Sequence, residues 1–413
     1  MENNQKYVNY LADTLVEIGD SVPEHIESCK ITVKNPARDL TLFDVHSLPD
    51  DLFVQPGEKT PNRIGFSKYA SYINTVAEQK YGRPLVVAMS ADLADSTNVS
   101  GFAKEYGGTK SKGFYDKENN PNSPLMPQGI TEFTNAGMMA GLATVNFSED
   151  TYKEFNGFYG AMSTYGSFSY LKYGPLRLFS QMAQDSDLKV GKVIWVAGHS
   201  GPETAEDSRT HFGIFAPGVT QLFPEGQIIN LHPWEHNEVA PCLTAALSTD
   251  VALIALHLTR PPVTIPDREA LGMASYLAAA RGAYIIKDYD HNVDKKGVVI
   301  IRGTSSTNSL VEILPRLTEE GPNVKIVAAV SWELFQRQLE DYQYSVISGQ
   351  EWQDAMVITN GALRLMHKWM ANRIVEEYSL SPDFDNRWRT GGSLEQIIKE
   401  SKLDPHSVWD GIM

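Results

Sequence analysis

Short, continuously apolar runs recur along most of this chain: Pro84-Leu85-Val86-Val87-Ala88, Val193-Ile194-Trp195-Val196-Ala197, Gln227-Ile228-Ile229-Asn230-Leu231 and Val251-Ala252-Leu253-Ile254-Ala255-Leu256. A half-exposed strand alternates apolar and polar residues. These runs leave no polar face, which predicts strands buried on both sides in a parallel sheet. Between them the spacing turns helical near residues 132 to 144, 167 to 183 and 237 to 247. A second series follows the Pro261-Pro262 break and the polar stretch from Lys287 to Asn292. Its strands are predicted at Gly297 to Arg302, Val324 to Ala328 and Met356 to Thr359, and its helices at 307 to 318, 331 to 340 and 361 to 377. The first 62 residues read differently: an amphipathic helix near Tyr7 to Ile18, then irregular chain interrupted by Pro23, Pro36, Pro49, Pro56 and Pro61. The predicted fold class is α/β, with two doubly wound, mainly parallel-sheet domains behind an irregular N-terminal extension. The expected boundaries are an extension at 1–62, a first domain at 63–262, a linker at 263–295 and a smaller second domain at 296–413.

Composition narrows the class. A length of 413 residues exceeds one ordinary core, and 42% hydrophobic with 21% charged residues is a globular balance. The longest apolar strings, such as Val251 to Leu258, fall well short of the roughly 20 residues of a membrane span. The start, Met1 to Lys6, has no basic segment leading into an apolar stretch, so no signal peptide and no membrane partner are expected. The Asn98-Val99-Ser100 and Asn146-Phe147-Ser148 glycosylation triplets would need a secretory route, and carry no weight. A net charge of -15 without a basic stretch argues against nucleic acid. Cys29 and Cys242 are the only cysteines, too few for a disulfide framework or a zinc site. Two reduced thiols in a cytoplasmic protein are expected.

In open parallel sheets, ligands bind beyond the carboxyl ends of strands, where loops lead into helices. Three such loops hold polar residues that a core would not ask for. The first is Met89 to Asn98, with Asp92 and Ser96. The second places Glu132 at the start of the small-residue helix running to Ala143. The third, Gly198 to His211, sets His199, Asp207 and His211 in one stretch. A first-turn glutamate is favoured by the helix dipole whatever its role, so Glu132 is a candidate only through its company. His232 and His236 stand four apart beside Glu235 and Glu238, but Pro233 marks this run as a helix start, and no metal is expected on this chain.

Gly129-Ile130-Thr131-Glu132 resembles the Gly-Ile-x-Glu signature of the pyrimidine-binding domain of transketolases and related thiamine diphosphate enzymes. The Met89 to Asn98 loop resembles the family's Ser-Ala-Asp-Leu-x-x-Ser-Asn stretch, and the His199 to His211 loop its His-Asp-Ser-x-x-x-x-Glu-Asp-Gly-Pro-Thr-His. His232 to Glu238, Ser331 to Phe335 and Gly391 to Leu394 extend the similarity over roughly residues 63 to 413. The resemblance implies that Glu132 touches the aminopyrimidine of thiamine diphosphate and starts its chemistry. Tyr165 and Phe168 would stack on that ring, and Asp92 would stand at the cofactor. His199 and His211 would be catalytic, bonding sugar oxygens, and Asp207 would read a substrate hydroxyl. Arg63 with Ser96, and Arg260, match the residues that capture the phosphate of a sugar phosphate. The reaction implied is transfer of a two-carbon ketol unit from a ketose to an aldose.

The family's Gly-Asp-Gly signature, followed by Asn, which holds the diphosphate and its Mg²⁺, does not occur in this sequence. The chain is therefore expected to be half of an active site. A partner chain or segment carrying the diphosphate-binding domain would hold Mg²⁺, in a homo- or hetero-oligomer. Thr131 and Phe133 replace the Arg and His that usually flank the glutamate, Ser208-Arg209 replace Gly-Pro, Phe212 replaces Gln, and Leu171 stands at the third aromatic position. These departures leave the sugars open. Two other readings are a β-type component of a 2-oxo acid dehydrogenase or related synthase, and a non-catalytic scaffold or regulatory subunit. The His199 to His211 loop favours transketolase over the first, and the intact Glu132, Asp207 and His211 speak against the second.

Overall fold

The computed structural model describes residues 2–22, 33–101, 113–127, 129–389 and 391–413. Pro23 and Cys29 lie outside the described residues. The chain divides into a unit at Met1–Val33 and a unit at Lys34–Met413. Among its described residues the first unit holds a helix, α1 (Glu2–Ser21), in which Val8, Leu11, Leu15 and Ile18 recur at steps of three and four and so form one apolar stripe.

In the second unit, residues 34 to 54 run as short 3-10 turns. Asn35, Asp39 and Asp44 each cap the next turn by accepting a backbone N–H with a side-chain oxygen. The strap is tied down at its end, where Val54 exchanges two hydrogen bonds with the Asn237 side chain, at 2.8 and 2.9 Å. Strand β1 (Lys59–Thr60) then pairs antiparallel with β7 (Val263–Thr264).

The first sheet holds β2 (Val86–Ser90), β3 (Tyr159–Thr164), β4 (Val193–Ala197), β5 (Ile229–Leu231) and β6 (Leu253–His257), all parallel, in the order β2-β3-β4-β6-β5. Its strands are apolar throughout because both faces are covered. Val86 and Ala88 point into a cluster with Phe66 and Ile73 of α2 (Arg63–Tyr81). Val87 and Met89 point the other way, to Met139 of α3 (Glu132–Leu142) and Leu176 and Phe179 of α4 (Tyr173–Asp185). The stretch predicted helical at 167–183 opens as 3-10 turns over Gly166–Lys172 before α4. Pro175 explains this, since it has no N–H to bond Leu171 O and carry the α-helix backward. A short helix α5 (Ala216–Thr220) precedes β5, and α6 (His236–Leu247) follows it.

The second sheet has the order β11-β9-β10-β8, from β8 (Ala283–Lys287), β9 (Gly297–Arg302), β10 (Val324–Ala329) and β11 (Ala355–Thr359). All its pairings are parallel except β8 against β10. Helix α7 (Thr304–Glu320) covers one face through Leu310 and Leu314. The helix predicted at 331–340 is split into Trp332–Phe335 and Glu340–Val346. That predicted at 361–377 is a 3-10 segment, Leu363–Trp369, with a short helix at Ile374–Tyr378. Gly282 lets β8 start where it does. At φ 84° it holds a left-handed backbone, and a Cβ there would lie 2.3 Å from both Phe335 N and Ser331 O.

One core cluster runs continuously from Leu256 of the first sheet to Ile286, Val299 and Ile301 of the second. Between the sheets sits a buried charged knot. Arg268 Nη2 donates to Glu235 Oε1 at 2.7 Å and Glu238 Oε1 at 2.9 Å, and Tyr284 OH also donates to Glu238 Oε1. Arg268 Nη1 reaches Tyr284 OH at 3.2 Å, and Trp234 Nε1 donates to the same hydroxyl at 3.1 Å. His236 Nε2 contacts Leu52 O at 3.1 Å. The carboxylates and the histidine at the start of α6 thus serve to fasten the second domain and the strap to the first.

Candidate active site

The carboxyl ends of β2, β3, β4 and β6 are neighbours in the first sheet, and each leads into residues singled out from the sequence. After β2 the chain turns at once. Asp92 and Asn98 hold left-handed backbone at φ 59° and 58°, a conformation that costs a non-glycine residue about 1 kcal/mol or more and marks an over-determined loop. The Asp92 side chain is exposed. Ala91 N–H bonds Ser163 O at 3.1 Å, which fastens this loop to β3.

Glu132 is the first residue of α3 and only 6% exposed. The hydroxyl of Thr164, the last residue of β3, donates to Glu132 Oε1 at 2.9 Å. Lys172 lies fully buried nearby, its Nζ donating to Met162 O at 3.2 Å and Val196 O at 3.0 Å. Burial pulls the pKa of this amine far down, and the charge of Glu132 pulls against that. Neither Thr164 nor Lys172 was singled out from the sequence, because one hydroxyl at a strand end and one lysine in Leu171-Lys172-Tyr173 make no pattern.

Tyr165 follows Thr164 directly. Its ring stacks on His199 with centroids 4.0 Å apart, and stands 6.3 Å from Phe168 and 5.0 Å from His211. Phe168 meets His211 edge-on at 5.5 Å. His199, two residues past β4, is fully buried, and its Nε2 lies 3.0 Å from Arg63 Nη1 and 3.2 Å from Ser96 O. Arginine only donates and a carbonyl only accepts, so Nε2 can accept from Arg63 or donate to Ser96 O but not both, and Nδ1 has no hydrogen-bond partner among the described residues. Burial, and then the charge of Arg63, push the His199 pKa down to about 3, leaving a neutral ring.

Arg63, the first residue of α2, also donates to the backbone carbonyl of Ser96. The Ser96 hydroxyl itself turns to Leu93 O at 3.3 Å. Arg260, three residues past β6, forks onto two carboxylates, Nη1 to Asp207 Oδ2 and Nη2 to Glu206 Oε2, both at 2.6 Å. Burial works against the Arg260 charge, but these bonds raise its pKa on balance, whereas burial and the like charge of Arg260 lower that of Arg63. His211 Nδ1 stands 2.6 Å from Ser208 Oγ. Six of the sequence candidates, Arg63, Ser96, Tyr165, Phe168, His199 and His211, are thereby joined by direct contacts, and Asp207 and Arg260 form a separate pair close enough for the charge of Arg260 to act on Arg63. Glu132 connects through Thr164, and Asp92 stands at the same end of the sheet.

The buried histidines set a pH dependence. Burial lowers the pKa of His199 and His257 to about 3 and of His236 to about 4, and lowers that of His232 well below its usual value. Unfolded, each binds a proton below its ordinary value near 6.5, while the native ring does not, so stability falls as pH drops through 6.5 toward 4. Each contributes up to about 1.4 kcal/mol per pH unit in that window. The carboxyls of Glu203 and Glu235, which burial raises, oppose this, two groups against four. The thermal midpoint is expected to fall by several degrees between pH 7 and pH 5. A midpoint flat or rising over that interval would contradict protonation-resistant buried histidines.

Comparison with known proteins gives the same outline. The family described as transketolase, pyrimidine binding domain matches residues 70–264, and the transketolase-like TK C-terminal domain matches residues 282–378. Transketolase 7 of Craterostigma plantagineum is 29% identical over 169 residues, covering 39% of this chain and 23% of that protein. The transketolase of Aquifex aeolicus is 27% identical over 267 residues, covering 64% of this chain and 34% of its own length. The solved structure of transketolase from Leishmania mexicana aligns with 91% of this chain and 48% of its own, at a TM-score of 0.65 and 16% identity, a likeness of fold. The chain thus spans about half the length of that solved structure and a smaller share of the curated relatives. With both domain models matched in tandem over most of its length, the chain belongs to the transketolase family as its C-terminal half.

Proposed function

We propose that this chain supplies the pyrimidine-binding half of a thiamine diphosphate site and takes part in transketolase-type transfer of a two-carbon ketol unit from a ketose to an aldose. The diphosphate and Mg²⁺ would be held by another chain or segment, in keeping with the missing Gly-Asp-Gly signature. The observation that carries this reading is Glu132: a buried carboxylate at a helix start, oriented by the Thr164 hydroxyl, beside the half-buried rings of Tyr165 and Phe168. When bound, thiamine diphosphate supplies the electron sink for breaking a carbon–carbon bond beside a carbonyl, which no side chain can provide.

The residues present fit the pyrimidine end of that cofactor. Thr164 occupies Glu132 Oε1, so Oε2 is the oxygen left to exchange a proton with N1' of the aminopyrimidine. Tyr165 and Phe168 would pack against the flat ring, and Asp92 would stand at the cofactor's edge. Neutral His199 would hydrogen-bond a sugar oxygen through Nε2 once Arg63 turns toward a phosphate, and His211 would serve a second oxygen or move its proton. Asp207 would accept from a substrate hydroxyl once Arg260 turns toward a phosphate. Arg63 and Arg260, two cations close enough to repel, would be relieved by that phosphate, with Ser96 beside them.

A second subunit accords with the surface around Glu132. Ile130 is 75% and Phe133 64% exposed, with Tyr170 and Leu178 exposed nearby, an apolar area that a partner would cover. No helix among the described residues is long and apolar enough to cross a membrane. We place the protein in the cytoplasm on its cysteine usage and its sugar chemistry.

The test is to mix this chain with a chain carrying a transketolase diphosphate-binding domain, thiamine diphosphate, Mg²⁺, and panels of ketoses and 2-oxo acids. Ketose-dependent transfer is expected. Turnover of 2-oxo acids alone would move the reading to the dehydrogenase type. No turnover in a mixture shown to associate would favour a non-catalytic subunit.

A further inference from the structure

A cleft of about 240 Å³ opens between the two sheets, away from the loops of the candidate active site. It lies where both sheets present strand carboxyl ends: Asn230 and His232 at the end of β5, Arg302 as the last residue of β9, and Ser331 and Trp332 just past β10. Its charge is unusual for an interdomain seam. Arg302 is 4% exposed, yet it forms no ion pair among the described residues. Its Nη1 donates to Leu365 O at 3.2 Å, and its buried Nη2 has no hydrogen-bond partner there. Lys368 supplies a second cation, 25% exposed, 3.7 Å from Glu333 and 3.2 Å from the solvent-facing Glu225.

Burying a guanidinium with an open donor is costly unless an acceptor meets it. Glu333 offsets part of that cost from a distance, but its Oε2 is committed to Asn230 N–H at 3.1 Å. His232 and His257, stacked 4.5 Å apart, are kept neutral by burial and by Arg302, so they add no further positive charge. A smaller space of about 20 Å³ on the other side of Arg302 has room for one water and no more. Nη2 lies beside Gly361, which lines the smaller space, whereas Leu365, which accepts from Nη1, lines the larger cleft; a countercharge entering the larger cleft would therefore meet the Nη1 edge of the guanidinium.

We propose that this interdomain cleft binds a small organic anion, its carboxylate or phosphate group held by Arg302 and Lys368 and its body against Trp332. The site is separate from the Glu132 cluster and does not depend on the reading given for it. The chemistry is that of an oxyanion accepting from one edge of a guanidinium and from an ammonium.

The test uses the intact chain and two probes, inorganic phosphate and acetate, at constant ionic strength with chloride as the balance. The Trp332 indole N–H resonance, assigned with Trp332→Phe, reports occupancy. A saturable shift is expected, weakened at least tenfold by Lys368→Met, a partly exposed site whose loss leaves the core intact, and by Arg302→Lys. Arg260→Gln, which alters the other arginine cluster, should leave the shift unchanged. Response to phosphate alone identifies phosphate esters as the ligand class, and response to acetate alone identifies carboxylic acids. The proposal is overturned if neither probe gives a saturable shift, if the shift survives Lys368→Met, or if Arg260→Gln abolishes it.

Discussion

Replacing Glu132 by Gln is expected to lower ketol transfer by about 10²- to 10⁴-fold in the reconstituted enzyme, the range that a positioned general acid or base supplies. Glutamine keeps the size of the side chain and can still accept from Thr164, but it cannot exchange a proton. Because Glu132 is buried at the first turn of α3 and its Oε1 is already engaged, no neighbouring water can replace it cheaply. The loss should fall on kcat, with the sugar KM largely preserved, since Arg63, Asp207, His211 and Arg260 remain in place. Thr164→Val should give a smaller loss of the same kind, by freeing the carboxylate to rotate. Unchanged turnover in Glu132→Gln would remove this residue from the chemistry, whatever the fold.

The largest effect on stability is expected at Arg268. Arg268→Met leaves Glu235 and Glu238, both fully buried, facing one another without a cation. Removing one partner of a buried ion pair costs about 3–5 kcal/mol. The arginine also joins Tyr284, and through it Trp234, at the seam between the sheets. Loss of Arg268 should therefore lower the thermal midpoint sharply and loosen the two domains together. A surface pair gives the scale: Lys153 and Asp150 are 2.7 Å apart but largely in water, so Lys153→Met should change stability by no more than about 1 kcal/mol. Equal midpoint shifts for the two variants would mean that the buried knot contributes no more than a solvated pair.

Most strands were legible because burial on both faces forces continuous apolar sequence. Strand β3 was not, and the reason lies in its packing. Its sequence Tyr159-Gly160-Ala161-Met162-Ser163-Thr164 is small and partly polar, since a Cβ on Gly160 would sit 2.6 Å from Met139 O of α3. The contact that brings α3, and with it Glu132, close to the sheet also erases the β-branched signature. Strand β8 lies in a stretch that reads as a polar connection, and its antiparallel edge position relaxes the demand for a continuous apolar run.

The candidate site was legible through residue types at strand ends and through family resemblance, which name groups without pairing them. Arg63 reaches His199 across 136 residues of sequence, and Arg260 reaches Asp207 across 53. Nothing in the sequence indicates that Ser96 meets Arg63 through its carbonyl, or that Glu206 shares Arg260. Glu333, within the Ser331 to Phe335 stretch that the resemblance covers, accepts from Asn230 N–H of β5, a contact across domains that the sequence does not indicate.

The central claim is that Glu132 acts on thiamine diphosphate in a site that this stretch of chain only half supplies. Calorimetric titration of thiamine diphosphate with Mg²⁺ tests it most directly, run on this chain alone and on its mixture with a diphosphate-binding chain. The account predicts no tight binding to the chain alone and saturable binding to the mixture; tight binding to the chain alone would contradict it.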